Sequence, residues 1–328
     1  MRYRTFGRTG WQVSEIGLGT WAMGFMWGPL DDDEAIRALR LARELGVNFF
    51  DTALGYGEGH SEELIAKALG PAREGLYVAT KALPKNMEWP ARHDAPVREV
   101  FPSDWIVECT ERSLSHLNRE AVDLQQLHVW SPLWMQQLDD WLPAVERLKQ
   151  QGKIRAFGIS LNDFEPDTAL EAVASGLIDS VQVIYNIFEQ APAPQLLPLC
   201  QRHGVGVIAR VPLDEGSLTG QFTADTTFHP DDWRRVYFAG ARLRETVERV
   251  ERLRFLVRRE ITTPAQAALK FCLAHPAVST VIPGMRKTSN VRINCAASDG
   301  LPLTPQELQE LRRHAWPRNF YQPVEETA

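Results

Sequence analysis

The strongest constraint on this 328-residue chain is a rhythm: short apolar runs rich in β-branched residues alternate with longer amphipathic ones. The short runs predict strands at 15–19, 47–51, 76–80, 123–127, 154–159, 179–184, 205–209 and 278–282. The longer ones predict helices. The first follows Asp31-Asp32-Asp33, whose carboxylates can cap it and complement its dipole. It puts Ile36, Leu39, Ala42 and Leu45 on one face and stops at Gly46. Further helices are expected at 61–69, 103–117 with Ser103 as N-cap, 137–151, 165–175, 193–203, 241–259, 264–274, 288–296 and 304–314. Such alternation implies a parallel sheet covered by helices. Eight units in this length favour a closed α/β (β/α)8, or TIM, barrel over an open doubly wound sheet. No Gly-, Pro- or Ser-rich linker divides the chain. The expectation is one domain over 1–328, with an extra C-terminal helix and an extended tail at 315–328.

Composition narrows the function classes. A formal net charge of -6 and the lack of a long basic run argue against a nucleic-acid binder. No stretch reaches the roughly 18 apolar residues of a transmembrane helix, and Met1 to Arg8 lacks a signal-peptide core. Cys109, Cys200, Cys272 and Cys295 are widely spaced, with no zinc or C-x-x-C pattern. They read as reduced, buried thiols of a cytoplasmic protein with no metal site. Nothing in the pattern specifies an oligomeric state.

Two connections are unusually long: 82–102, with Trp89 and His93, and 211–240, with Trp233, Tyr237 and Phe238. Both follow strands, so both belong to the C-terminal face of a barrel, where active sites of this architecture form. They are expected to act as lids or substrate walls.

Four polar residues end up at that same face. Asp51 and Tyr56 lie at and just past the end of strand 47–51, Lys81 follows strand 76–80, and His128 follows strand 123–127. The ends of strands two, three and four of a barrel are adjacent, so an acid, a phenol, an amine and an imidazole converge on one mouth. This set suits carbonyl reduction, which needs hydride at carbon and a proton at oxygen. Side chains cannot supply hydride, whereas a nicotinamide can. Tyr56 is the candidate acid, although an ordinary tyrosine has a pKa of about 10. A neighbouring ammonium, Lys81, is expected to lower that pKa. Asp51 can hold the ammonium, and His128 can orient the substrate oxygen. The substrate is thus expected to be a small carbonyl compound touching Tyr56 and His128. Trp21, Trp89 and Trp233 are candidate apolar walls, with Trp130, two residues past His128, the foremost.

These segments resemble the aldo-keto reductase family. The resemblance runs from Gly17-Leu18-Gly19-Thr20-Trp21 to Ile282-Pro283-Gly284 and is carried by Asn48-Phe49-Phe50-Asp51-Thr52-Ala53, Tyr56-Gly57, Ala79-Thr80-Lys81 and Asp123-Leu124-Gln125-Gln126-Leu127-His128. It implies a (β/α)8 barrel, NADPH/NADP+ rather than NADH as usual cofactor, and Asp51, Tyr56, Lys81 and His128 as catalytic tetrad. It also places Thr20, Trp21 and Asp51 near the nicotinamide ribose, and Ser160, Asn162 and Gln182 at the carboxamide. Leu213, Ser217 and Leu218 fall in the loop over the pyrophosphate. Gly284, Met285, Arg286, Asn290 and Asn294 fall in the segment for the adenosine phosphate. There Arg286, beside Lys287, offers a fork for a 2′-phosphate, and a helix starting near Thr288 offers its positive end. The chain departs from the family pattern twice. Leu161 separates Ser160 from Asn162, and Arg210 stands where an aromatic usually stacks on nicotinamide. A planar guanidinium can stack there, or bind a phosphate or a substrate anion.

Two other functions fit parts of the pattern. A strand-end lysine can form a Schiff base, as in a lyase, although Asp51 argues against a neutral Lys81. A nucleotide-sensing module, like the ion-channel auxiliary subunits the family also resembles, keeps the barrel but turns over slowly. The cluster Gly55-x-Gly57-x-Gly59 follows a strand without the G-x-G-x-x-G spacing of an open dinucleotide fold.

Overall fold

The computed structural model describes residues 1–71 and 74–322. In chain order it forms β1 (Tyr3–Phe6), β2 (Trp11–Ser14), β3 (Leu18–Gly19), α1 (Asp32–Glu44), β4 (Phe49–Asp51), α2 (His60–Leu69), β5 (Tyr77–Ala82) and α3 (Val97–Val100). There follow α4 (Ser103–Leu117), β6 (Val122–Leu127), α5 (Leu138–Gln150), β7 (Ile154–Ser160), α6 (Leu170–Ser175), β8 (Ser180–Ile184), α7 (Leu196–His203) and β9 (Gly206–Arg210). The chain ends with α8 (Arg234–Tyr237), α9 (Arg242–Glu251), α10 (Pro264–Ala274), β10 (Val278–Val281), α11 (Thr288–Cys295) and α12 (Pro305–Leu311).

Strands β3 to β10 form one eight-stranded parallel sheet in sequence order. The first and last strands are brought together by parallel bridges Ile16↔Val281 and Gly19↔Gly284, so the sheet nearly closes into the (β/α)8 barrel that the alternation predicts. Most helix bounds fall within a few residues of those predicted, with instructive exceptions. Asp31 caps α1 as expected, its carboxylate accepting from Glu34 N. Ser103 does not cap α4: it is the first helical residue, and its hydroxyl donates to Asp140 O at 2.7 Å. The segment 165–175 opens as a 3-10 turn over Pro166–Ala169, and in 241–259 the α-helix ends at Glu251, followed by a 3-10 turn over Arg254–Leu256.

Inside the barrel, strand alternation separates two layers. The lower layer is apolar: Phe49, Ala79, Leu124, Ala156 and Ile208. Two residues further along their strands stand Asp51, Lys81, Gln126 and Arg210, joined by Gln182 of β8, and these form a polar upper layer. The lower end carries an element that the sequence reading lacked, the antiparallel hairpin of β1 and β2. Phe6 of this hairpin enters the apolar layer and stacks on Phe49 with centroids 5.4 Å apart. A Cβ on Gly206 would lie 2.7 Å from the Phe6 ring, so a side chain there competes with the plug. All four cysteines are buried and unpaired, and burial pushes the Cys109 thiol up to about 11 and Cys200 to about 12. Among the described residues, no helix is long and apolar enough to cross a membrane, and no cluster of three or more His, Cys, Asp or Glu is placed to hold a metal.

Candidate active site

The polar layer opens into a cavity of about 860 Å³ lined by residues from most of the C-terminal strand ends. At its floor Lys81 is the hub. Its ammonium donates to Asp51 Oδ1 at 2.6 Å, to Thr52 O at 2.8 Å and to Tyr56 Oη at 3.3 Å, and its side chain is wholly buried. All three ammonium hydrogens are therefore engaged. The second oxygen of Asp51 accepts from Gln182 Nε2 at 2.7 Å and from Gln126 Nε2 at 3.4 Å, which fixes the carboxylate from both sides.

Tyr56 sits in the turn between β4 and α2, with its amide donating to Ala53 O at 3.0 Å. The segment around Gly24 lies directly on this turn. A Cβ on Gly24 would approach the Tyr56 backbone to 2.7 Å, so only glycine allows the two loops to close together. His128 meets the Tyr56 ring edge-on with centroids 5.6 Å apart, and Trp89 meets His128 edge-on at 5.5 Å.

The electrostatics follow from burial and from two cations. Burial raises the Tyr56 pKa above its ordinary value, and Asp51 adds to this, while Lys81 and Arg210 oppose it. The expected lowering by Lys81 is present but is outweighed, because the phenolate loses more solvation than one already-paired ammonium restores. Tyr56 is thus a protonated phenol at neutral pH. Burial pulls Lys81 downward, but Asp51 and Tyr56 more than compensate and keep it charged. His128 is held well below its ordinary pKa by burial, then by Lys81 and Arg210, and is a neutral imidazole whose Nδ1 has no partner.

Other candidate residues divide into those facing the cavity and those behind it. Trp21, Trp89, Ser160, Asn162, Gln182, Arg210, Leu213, Gly284, Asn290 and Asn294 line it. The amide of Asn162 is already committed: its oxygen accepts from Ala91 N, and its nitrogen donates to Ala91 O and Glu165. It ties the 82–102 loop to the end of β7. Thr20 is buried beneath the lining, its hydroxyl donating to Asp51 O at 3.2 Å. Ser217, Leu218 and Met285 are buried, with the Ser217 hydroxyl donating to Asp214 at 2.6 Å.

Two expectations need correction. Trp130 is not a cavity wall. It is completely buried between Trp134 and Trp141, its indole N–H donating to Thr168 O at 3.1 Å. The positive end of α11 is not free for a phosphate either, because Glu34 accepts from Thr288 N at 2.8 Å and from Thr288 Oγ1 at 2.9 Å.

The structure gives Trp233 and Arg286, both expected from the sequence, partners that the sequence reading lacked: Trp27, Asp232, Arg234 and Tyr321. The 211–240 loop crosses the cavity to the opposite side, where Trp27 and Asp232 form a bridge and Trp233 N donates to Met26 O at 3.1 Å. Trp233 packs on Trp21 at 5.3 Å. Arg234 lies 3.9 Å from the Trp27 ring and pairs with Asp232. Arg286 donates to Trp27 O at 3.1 Å, close enough to Arg234 to be depressed by it as well as by burial. Tyr321, from the tail, lines the cavity, stacks on Trp233 at 5.3 Å and donates to Glu215 at 2.7 Å. The tail from 315 to 322 is thus irregular but docked, and 323–328 lie outside the described residues.

Among the described residues, four buried polar atoms of cavity-lining side chains have no partner: Trp27 Nε1, His128 Nδ1, Arg210 Nε and Trp233 Nε1. Unpartnered buried polar atoms on a cavity wall are places where a polar ligand can bond.

Comparison with known proteins agrees with this geometry. The model of the Aldo/keto reductase family matches residues 15–315. The aldo-keto reductase YhdN of Bacillus subtilis (strain 168) is 33% identical over 293 residues, covering 88% of this chain and 86% of that one. An NADH-specific methylglyoxal reductase of Escherichia coli (strain K12) is 29% identical, covering 90% of this chain and 93% of its own. The solved holo form of the aldo-keto reductase AKR11C1 from Bacillus halodurans superposes with a TM-score of 0.74 at 28% identity, over 99% of both chains. With the barrel, the strand-end tetrad and a family match across nearly its whole length, this chain belongs to the aldo/keto reductase family.

Proposed function

We propose that this oxidoreductase uses NADPH to reduce the carbonyl of an aldehyde or ketone to an alcohol, with Tyr56 as the proton donor. The observation that carries the reading is the Lys81 hub, which joins Asp51 and the Tyr56 hydroxyl through one fully buried ammonium. The bound nicotinamide supplies the hydride. Tyr56 holds its proton until a carbonyl oxygen takes it. As the proton leaves, the Lys81 N–H already pointing at Tyr56 Oη stabilises the phenolate. Asp51 keeps Lys81 charged and in place. His128 is neutral, so it steers the substrate oxygen by a hydrogen bond without adding charge.

Ser160 and Gln182 are the residues to hold the nicotinamide end, and Gly284, Asn290 and Asn294 the adenosine end. Arg234 and Arg286, with one carboxylate, Asp232, between their charges, support the choice of NADPH: a 2′-phosphate there relieves the repulsion of two guanidiniums. The imine reading has little support, since Lys81 is charged and its hydrogens are all engaged.

The test is Tyr56→Phe, assayed against a panel of aldehydes and ketones. Turnover should fall about 10²- to 10⁴-fold, as expected for loss of a positioned acid, with NADPH affinity nearly unchanged. Unchanged turnover in this variant removes Tyr56 from the mechanism. A parent chain that binds NADPH but oxidises it with none of the panel supports the sensor reading instead.

A further inference from the structure

Two cations are built into the polar layer, and the proton transfer uses only Lys81. The other is Arg210, at the end of β9. Ile208 points into the barrel, so alternation turns Arg210 inward as well, one layer higher. Its Nη2 donates to Asp163 Oδ1 at 2.7 Å and to Leu161 O at 3.0 Å. Its Nε is buried without a partner. Gln182 lines the same cavity from the neighbouring strand β8, and Ser160 from β7, one strand further round. The guanidinium is close enough to the reacting centre to act on both Tyr56 and His128.

We propose that Arg210, moderated by Asp163, sets which redox form of the nicotinamide cofactor this chain retains, favouring the reduced form and so the direction of carbonyl reduction. The inference rests on the reading above, in which the nicotinamide is held at Ser160 and Gln182. The argument is electrostatic. The oxidised ring carries a positive charge and the reduced ring does not. A guanidinium fixed beside it in a site with little water raises the free energy of the oxidised form and leaves the reduced form almost untouched. Asp163 offsets part of that field from the Nη2 edge of the guanidinium, whereas its Nε edge has no partner. Hydride passes to the carbonyl carbon and the Tyr56 proton to its oxygen, so the reaction itself creates the ring charge next to Arg210. The oxidised product is then expelled more readily than the reduced reactant.

The experiment measures dissociation constants of NADP+ and NADPH by calorimetric titration of the full chain without substrate. It compares the parent with Arg210→Met, Arg210→Lys and Asp163→Asn. The parent should bind NADPH more tightly than NADP+. Arg210→Met should reduce the ratio of the two constants (oxidised over reduced) by about tenfold. Arg210→Lys should keep most of it, and Asp163→Asn should increase it, because the cation loses its partner. Ratios equal within twofold in the parent and Arg210→Met overturn the proposal, as does an unchanged ratio in Asp163→Asn. Should circular dichroism show that Arg210→Met does not fold, Asp163→Asn and Arg210→Lys decide alone. An Arg210→Met variant that changes only the KM for substrate assigns the guanidinium to a substrate anion and also overturns the proposal. A parent that binds neither form overturns the reading of the site itself, and this inference with it.

Discussion

At the scale of single residues, the site solves a charge problem. In the proposed reaction a phenol must keep its proton in the resting state and lose it readily to a carbonyl oxygen. Burial secures the first requirement for Tyr56, and the adjacent Lys81 ammonium secures the second. The pH dependence follows from these directions. Tyr56 is raised above the ordinary tyrosine range, Lys81 is also raised, and His128 is well below the histidine range. None of them changes charge between pH 6 and 9. Carbonyl reduction, measured as kcat/KM, should therefore be flat across that interval in Glu215→Gln, which removes the cavity-lining carboxyl pushed up to about 8. It should fall only at higher pH, as the Tyr56 proton is lost, with Lys81, Asp51 and Arg210 setting where the fall begins. A descending limb centred near pH 7 contradicts this assignment. The convergence of Asp51, Tyr56, Lys81 and His128 was legible in the sequence because they sit at or just past strand ends, where alternation and strand order place them without reference to side-chain packing. The direction of the Tyr56 shift was not legible, because desolvation depends on what surrounds the ring and that is a tertiary fact.

At the scale of elements, the 211–240 loop and the tail act as one unit over the cavity. The chain leaves β9 through Val211, Asp214 and Glu215, all at positive φ, and so folds the loop back over the barrel mouth. Such strained, non-glycine positions persist only where the surroundings hold them. Here the tail does so: Arg318 pairs with Asp214, and Tyr321 donates to Glu215. Glu215 is buried, which pushes its carboxyl up to about 8; Asp214 adds to the rise, while Tyr321, Arg234 and Arg210 oppose it. Its folded pKa thus exceeds the ordinary Glu value of about 4.3. The folded chain binds the proton more tightly, so Glu215 lowers stability progressively as pH rises from the ordinary carboxylate range to about 8. Glu215→Gln keeps an acceptor for Tyr321 and removes the titration. Its Tm should exceed that of the parent by much more at pH 9 than at pH 5. An equal difference at both pH values shows that Glu215 does not titrate in this range. The sequence marked this loop as long and aromatic but did not indicate its partners. Contacts of Trp233, Arg234 and Tyr321 join segments far apart in the chain, through irregular backbone with no periodicity to read.

At the scale of the whole molecule, the barrel separates stability from chemistry along its axis. The polar layer lies at the C-terminal ends of the strands, and the plug made by the β1–β2 hairpin lies at the other end. The eight strands were readable because each is a short apolar run between turn signals. The hairpin was not, since its strands are four residues each and partly exposed, with a burial pattern that resembles a surface segment. Phe6 nevertheless occupies the barrel's lower layer, fully buried against Phe49 and Trp11. Phe6→Ala should cost about 3–5 kcal/mol of stability, measured by denaturant unfolding, through lost burial and the cavity left behind. Well below the melting temperature kcat should be unchanged, because the apolar layer separates Phe6 from Lys81. Gly206→Ala should also destabilise, as its Cβ would meet the Phe6 ring at 2.7 Å. In the double variant the added methyl enters space that the ring vacates, so the combined loss should be smaller than the sum of the two. A strictly additive result places the two effects at independent sites. A fall in kcat for Phe6→Ala at low temperature shows instead that the two ends of the barrel are coupled.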